Sequence, residues 1–330
     1  MINERYELDR PIGRGSMGVV YRATRLAAPG GVVAIKRVPV ASDPMLRERL
    51  RAEAEVLALL DHPHIVRVHE VIDDGDGLAV VMPLATGGSL ADRLVREGRM
   101  DATVVASFAA EIGDALSCAH RQGVLHCDVK PSNILFTSEG DALLTDFGLA
   151  RWVSRPSVWG GAVMGTAEYL DPEVADGLQP DSRSDVYSLA VVCYEALTGR
   201  VPFTGPTALA VLKRAERGRA TAVANLVPDL PVGLSEAVAE GMARKRSRRP
   251  ESAQALAAAL RSSGTLAQPR ARPCEAGPGT SAPPAAEMGC SSGPPTARFD
   301  FRPLGPHDPG EEPRADARAR RSPARPALVA

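Results

Sequence analysis

The chain has 330 residues, 44% of them hydrophobic and 24% charged, the balance of a globular protein with room for one large domain or two modest ones. A formal net charge of −1 supplies no global field that would draw it onto nucleic acid or an anionic membrane. Five scattered cysteines without CxxC spacing argue against a zinc site and a disulfide framework, and neither a signal peptide nor a run of ~18 apolar residues occurs, so a cytoplasmic location is expected.

Residues 6 to about 82 read as short strands around one helix. Arg10 to Ala23, punctuated by glycine, has hairpin character, and Val32 to Val40 is a β-branched run. Met45 to Leu60 carries Leu46, Leu50, Ala54, Leu57 and Leu60 at three- and four-residue spacing, which predicts an amphipathic helix. Asp61-His62-Pro63 stops it, because proline cannot continue the hydrogen-bond ladder. Leu78 to Leu84 is a further apolar strand, and Gly87-Gly88 reads as a hinge.

From Ser89 the texture turns helical. Val104 to His120 and Asp185 to Leu197 are the clearest helices, Leu234 to Ala243 and Ser252 to Leu260 follow, and a strand-like stretch from Val124 to Phe147 interrupts them. Beyond about Gly264, Pro, Ala, Gly, Ser and Arg dominate, and 13 of the 28 prolines fall there. A segment of that composition buries too little apolar surface to offset its ordering entropy, so 265–330 is read as a disordered tail. Phe299 and Phe301, flanking Asp300, are its only aromatics, a candidate docking element for a protein partner beside the plainer reading of a passive tail.

Three segments carry chemistry. Gly13-Arg14-Gly15-Ser16-Met17-Gly18 alone fits a dinucleotide fold, a nucleotide-covering hairpin or a plain glycine turn; the β-branched and aromatic Val19, Val20 and Tyr21 that follow favour the hairpin. Lys36 stands on a strand eighteen residues later, a compact charge suited to phosphate. Its flexible stem needs a carboxylate partner, for which Glu53 of the following helix is the candidate beside Glu48 and Glu55. His126-Cys127-Asp128-Val129-Lys130-Pro131-Ser132-Asn133 sets an acid, a lysine and an amide within an apolar neighbourhood, and Asp146-Phe147-Gly148 follows. Asn133 and Asp146 offer hard oxygen ligands for Mg²⁺, Asp128 a proton acceptor, and Lys130 a charge for a transferring phosphoryl group. The chain has only four lysines, and Lys36 and Lys130 are two of them.

In this order and spacing the segments resemble the eukaryotic-type (Hanks-type) Ser/Thr protein kinases, particularly the bacterial members, over about residues 6–262. The resemblance implies an α+β, two-lobed protein-kinase fold: a β-rich N-lobe with one key helix over 1–85, and a larger helical C-lobe over 86–264. It implies ATP and Mg²⁺ as cofactors and protein substrates with Ser or Thr, while charge and hydropathy imply no nucleic acid and no membrane span. By similarity, Lys36 holds the α- and β-phosphates and pairs with Glu53, Asn133 and Asp146 bind the metal, Asp128 is the base and Lys130 assists at the γ-phosphate. Gly13, Gly15 and Gly18 would cover the phosphates. Adenine would lie between Ile12, Val20 and Ala34 above and Leu135 below, with Met82 as gatekeeper and hinge contacts at the Pro83 carbonyl and Ala85 amide. Thr166 would hydrogen-bond Asp128 and Lys130, and Gly165 to Glu173 would form the peptide platform.

Arg249 would pair with Glu173, and Asp171, where the family has alanine, would alter only local solvation. A second departure is Cys127, where the family has the arginine that receives an activation-loop phosphate; the usual acceptor positions are Val158 and Gly160. The expectation is therefore a segment held by packing (Trp152, Trp159), a partner or the tail, and not through phosphorylated Ser154 or Ser157. Cys127 reads as a small buried residue rather than a redox handle. The alternative readings are a pseudokinase scaffold that binds nucleotide without turnover, and a small-molecule kinase of related fold. The basic run from Arg244 to Arg249 reads as a solvated turn in which Arg249 has a structural task.

Overall fold

The computed structural model describes residues 2–15, 18–27, 31–39, 51, 58–75, 77–147 and 167–262. The expected helix over Met45 to Leu60 lies almost wholly outside the described residues, as do Glu53, Gly148, Trp152, Trp159, Gly165, Thr166 and the tail. Leu60 is buried, and the chain is no longer helical at Asp61 and His62, as the proline signal predicted.

Five strands form one antiparallel sheet: β1 (Tyr6–Gly15), β2 (Gly18–Arg25), β3 (Val32–Pro39), β4 (Glu70–Asp73) and β5 (Gly77–Pro83), in the order β1-β2-β3-β5-β4. Period-two alternation divides β3 between two apolar clusters. Val33 and Ile35 join Ile2, Tyr6, Ala23 and Val81. Ala34 joins Val80 and Met82, with Val20, Val66 and Val68 packed against them. Val20 lies opposite Lys36, which lies opposite Val80, so the lysine shares its face with this second cluster. Gly18 is needed for close approach: its φ is 149°, and a Cβ there would sit 2.0 Å from the carbonyl oxygen of Arg37.

The remaining described residues are mostly helical. Its elements are α1 (Leu90–Glu97), α2 (Ala102–Arg121), the hairpin β6 (Ile134–Phe136) and β7 (Ala142–Leu144), α3 (Pro172–Ala175), α4 (Ser182–Thr198), α5 (Ala208–Arg217), α6 (Val232–Gly241) and α7 (Ala253–Ser262). Ser89 caps α1 through a reciprocal bond with Asp92, and Asp181 caps α4 in the same way with Ser184. Helix α2 is long and apolar enough to cross a membrane by composition. Its apolar length is explained by packing, since Val105, Phe108, Ile112 and Leu116 lie in the cluster that holds Leu189 and Val192 of α4 and Leu256 of α7.

The Gly87-Gly88 step is pinned rather than free. Gly87 donates to the Phe136 carbonyl at 2.9 Å, Phe136 donates to Gly88 at 2.9 Å, and a Cβ on Gly87 would fall 2.4 Å from the Thr137 oxygen. The crossing from sheet to helices is thereby fastened beneath the cleft, beside Leu135, whose backbone bridges to Ser89.

Candidate active site

Lys36 is 4% exposed, and its Nζ lies 2.8 Å from Oδ2 of Asp146. A buried ammonium needs such a partner, because desolvating an unpaired charge is costly. This ion pair thus ties the sheet to the helical part of the chain. The expected Glu53 partner lies outside the described residues.

The β6–β7 hairpin brings the amide and the second carboxylate together. Ile134 pairs with Leu144, and the Thr145 N–H donates to the Asn133 carbonyl at 3.0 Å, so Asn133 and Asp146 stand at the same end of the hairpin. Asn133 donates through Nδ2 to the Asp128 carbonyl at 2.8 Å and to Asp128 Oδ2 at 3.1 Å. Lys130 Nζ lies 2.7 Å from the same Oδ2. One carboxylate oxygen of Asp128 is therefore held by two donors, while Oδ1 has no protein hydrogen bond among the described residues.

The loop bearing Asp128 is shaped from beneath by Asp185, which is 0% exposed at the start of α4. Its carboxylate accepts the His126 N–H at 2.9 Å and the Cys127 N–H at 2.8 Å, and His120 Nε2 lies 2.7 Å away. These bonds hold Cys127 at φ 61°, a left-handed conformation that costs a non-glycine residue roughly 1–2 kcal/mol. His126 reaches the Thr145 carbonyl at 2.9 Å and packs its ring 4.6 Å from Phe147, so the loop bearing Asp128 and the Asp146 segment are one assembly. Cys127 is half-buried, more accessible than the small core residue expected at that position.

The residues expected on the nucleotide side, Ala85 apart, lie on the sheet and on β6. Val20, Ala34 and Met82 belong to one apolar cluster over Lys36, Ile12 is more exposed near the tip of β1, and Leu135 lies on β6. Pro83 ends β5 opposite Val33, so the proline terminates the strand without breaking it. No group of three or more His, Cys, Asp or Glu side chains suited to a metal occurs among the described residues. One amide and one carboxylate suit an ion that completes its shell with water and phosphate oxygens, as Mg²⁺ does.

Residues 6–257 match the family model for the protein kinase domain. The chain belongs to the protein kinase family. Within that family it is similar to the serine/threonine-protein kinase PkaB of Streptomyces coelicolor, with 38% identity over 79% of this chain and 63% of the relative. It is 37% identical to PknA of Mycobacterium tuberculosis over 88% of this chain and 68% of that protein. Against the probable kinase PknB of Corynebacterium glutamicum the identity is 37%, over 79% of this chain and 42% of the relative. The chain thus spans from about two fifths to about two thirds of the length of these relatives. These similarities place it among the bacterial Hanks-type Ser/Thr kinases.

The kinase domain departs from expectation at the end of its peptide segment. Arg249 does not pair with Glu173. Its Nη2 lies 2.7 Å from Oδ1 of Asp171, with side-chain exposures of 0% and 1%, and its guanidinium stacks 4.8 Å from the Tyr187 ring centroid. Asp171 also takes Arg246 Nε at 3.1 Å and caps α3 by accepting the Glu173 N–H at 2.9 Å. Glu173, more exposed, accepts the backbone N–H of Arg246 at 3.1 Å. Burial pushes the Asp171 carboxyl upward, but the hydrogen bond and charge of Arg249 outweigh it and hold the group below the usual range. Asp171 therefore joins the late arginine to the segment and is no minor solvation change. Nearby, Ser188 Oγ donates to the Tyr169 carbonyl at 2.8 Å, and the Tyr169 hydroxyl donates to Glu195 at 2.6 Å.

The tasks of Asp185 beneath the Asp128 loop and of Arg246 at Asp171 have no counterpart among the sequence-based expectations, and Asp171 carries more than the local solvation change expected of it. A charged residue opening an apolar helix, as Asp185 does, is the one signal that was available.

Proposed function

We propose that this domain transfers the γ-phosphoryl group of ATP to serine and threonine hydroxyls of proteins. The observation that carries the reading is a pair of clusters, Lys36 with Asp146 and Asp128 with Lys130 and Asn133, each held by contacts of 2.7–3.1 Å and joined by the Thr145 N–H to the Asn133 carbonyl at 3.0 Å. Asp128 accepts the proton of the incoming hydroxyl through Oδ1, which has no hydrogen bond among the described residues, while Lys130 and Asn133 hold the carboxylate in register. Lys36 exchanges part of its bond to Asp146 for phosphate oxygens. Asn133 and Asp146 would hold Mg²⁺, which would supply charge neutralisation at the phosphates. Most of the rate then comes from positioning and preorganised charge in a closed cleft.

Cys127 supplies no guanidinium for a phosphorylated loop residue. Double replacement Ser154→Ala/Ser157→Ala should accordingly keep most of the activity, and loss of most of it would refute this mode of control.

The direct test is phosphate transfer from labelled ATP to a general protein substrate, with and without Mg²⁺. Asp128→Asn should lower the rate about 10²–10⁴-fold with nucleotide binding retained. A wild-type chain that binds ATP yet transfers nothing would show a scaffold instead, and an unchanged Asp128→Asn would remove the base assignment.

A further inference from the structure

The basic run Arg244 to Arg249 divides into two faces. Arg246 and Arg249 turn inward to Asp171 and Glu173. Arg244, Lys245 and Arg248 turn outward and, with Arg217 at the end of α5, ring a cavity of about 370 Å³ whose apolar lining includes Phe203 and Met242. Arg244 is partly neutralised by Glu216 at 3.1 Å and Asp176 at 4.0 Å. Arg217, Lys245 and Arg248 make no ion pair among the described residues, and all three are exposed. In a chain of net charge −1, this concentrates three uncompensated cations around one recess.

From this arrangement we infer that the cavity is a docking site for an acidic stretch of the protein substrate, one that carries an apolar side chain between carboxylates. The inference rests on the reading that the chain phosphorylates proteins. The apolar floor selects the occupant. A recess of that volume accepts a bulky side chain, while the rim of cations meets the carboxylates beside it. A nucleic-acid duplex would satisfy the rim with its phosphates, but its bases are stacked away from Phe203 and Met242.

The cavity is also tied to the end of the peptide segment. Phe203 packs in one cluster with Ala167, Val211 and Ala215, and the loop that carries Lys245 and Arg248 is the one whose Arg246 bonds Asp171. A segment docked there is held by the same framework that fixes residues 167–173. Binding at this site adds local concentration to the acceptor without touching the chemistry, so it lowers KM and leaves kcat unchanged.

The test uses the full chain and two synthetic substrates: a short Ser/Thr acceptor peptide, and the same peptide joined by a Gly/Ser linker to Asp-Glu-Phe-Glu-Asp. The extended peptide should show a KM at least about 5-fold lower at equal kcat, with the advantage shrinking as salt rises. The triple variant Arg217→Glu/Lys245→Glu/Arg248→Glu should abolish that advantage and leave the short peptide's kinetics unchanged. In parallel, a fluorescein-labelled Asp-Glu-Phe-Glu-Asp should bind the wild type and the Asp128→Asn chain equally, and bind the triple variant at least about 10-fold more weakly. The Asn-Gln-Phe-Gln-Asn control should not bind.

Equal KM values for the two peptides, or labelled-peptide binding indifferent to the triple variant, would overturn the docking site while leaving the kinase reading intact. Transfer to neither peptide would instead sink the kinase reading, and the binding arm would still decide whether the cavity takes acidic peptide. Tighter, variant-sensitive binding of a DNA or RNA oligonucleotide would overturn the inference in favour of nucleic acid.

Discussion

Replacing Asp171 by alanine, the residue the family places there, should be among the most damaging single changes outside the catalytic residues. The Asp171 and Arg249 side chains are 1% and 0% exposed, so the substitution strands a guanidinium away from water. Removing one partner of a buried pair costs about 3–5 kcal/mol. Arg249 keeps hydrogen bonds to the carbonyls of Ala243, Arg183 and Arg244, which moderates the loss toward the lower figure. Loss of the cap on α3 and of the Arg246 contact acts in the opposite sense. A net of about 3 kcal/mol corresponds to a fall in Tm of roughly 6–12 °C for a domain of this size. Glu173→Gln keeps an acceptor for the Arg246 N–H and should cost under about 1 kcal/mol. Thermal unfolding of both variants with saturating nucleotide measures the contrast. If Glu173→Gln is the more damaging, or Asp171→Ala is neutral, the pairing described here is wrong. Acid provides a second check. The Asp171 carboxyl is held below its ordinary range, so its contribution is present at neutral pH and is lost only as pH falls through that lowered value. The stability gap between wild type and Asp171→Ala should therefore be flat near neutrality and close in acid.

Asp185→Asn should lower kcat by roughly 10²-fold with KM for ATP little changed. An amide cannot accept all three bonds from the His126 and Cys127 N–H groups and the His120 ring, so the loop that aims Asp128 relaxes; steady-state kinetics checks this. Burial pushes the Glu195 carboxyl up despite the Tyr169 hydrogen bond that lowers it. A raised carboxyl stabilises the fold when protonated and loses that contribution as pH rises through its folded value, so the Tm of Glu195→Gln relative to wild type should climb as pH rises above the ordinary carboxylate range. A flat difference would contradict it. Gly87→Ala, whose Cβ would meet the Thr137 oxygen at 2.4 Å, should destabilise by about 1–3 kcal/mol in a denaturation series, which distinguishes a pinned crossing from a flexible hinge.

Much was legible in the residues alone because the informative signals are local. The helices around α2, α4, α6 and α7 show in their apolar texture, and the segments at Lys36, Asp128 to Asn133 and Asp146 each hold their chemistry within a few residues. Their order along the chain sufficed to name the family and a two-lobed architecture, because short contiguous constellations do not depend on how distant parts pack. What the tertiary structure alone decided is which distant charges meet. Arg249 lies 78 residues from Asp171, and Arg246 lies 73 from Glu173; both carboxylates are within reach in sequence terms, and the outcome turns on which one is carried into the dry interior. The same holds for Asp185, 59 residues from His126, and for the basic run, whose alternate side chains go to a buried acid or to an open cavity. Desolvation sets the strength of each of these pairings, and burial is a property of the folded molecule that no local pattern encodes.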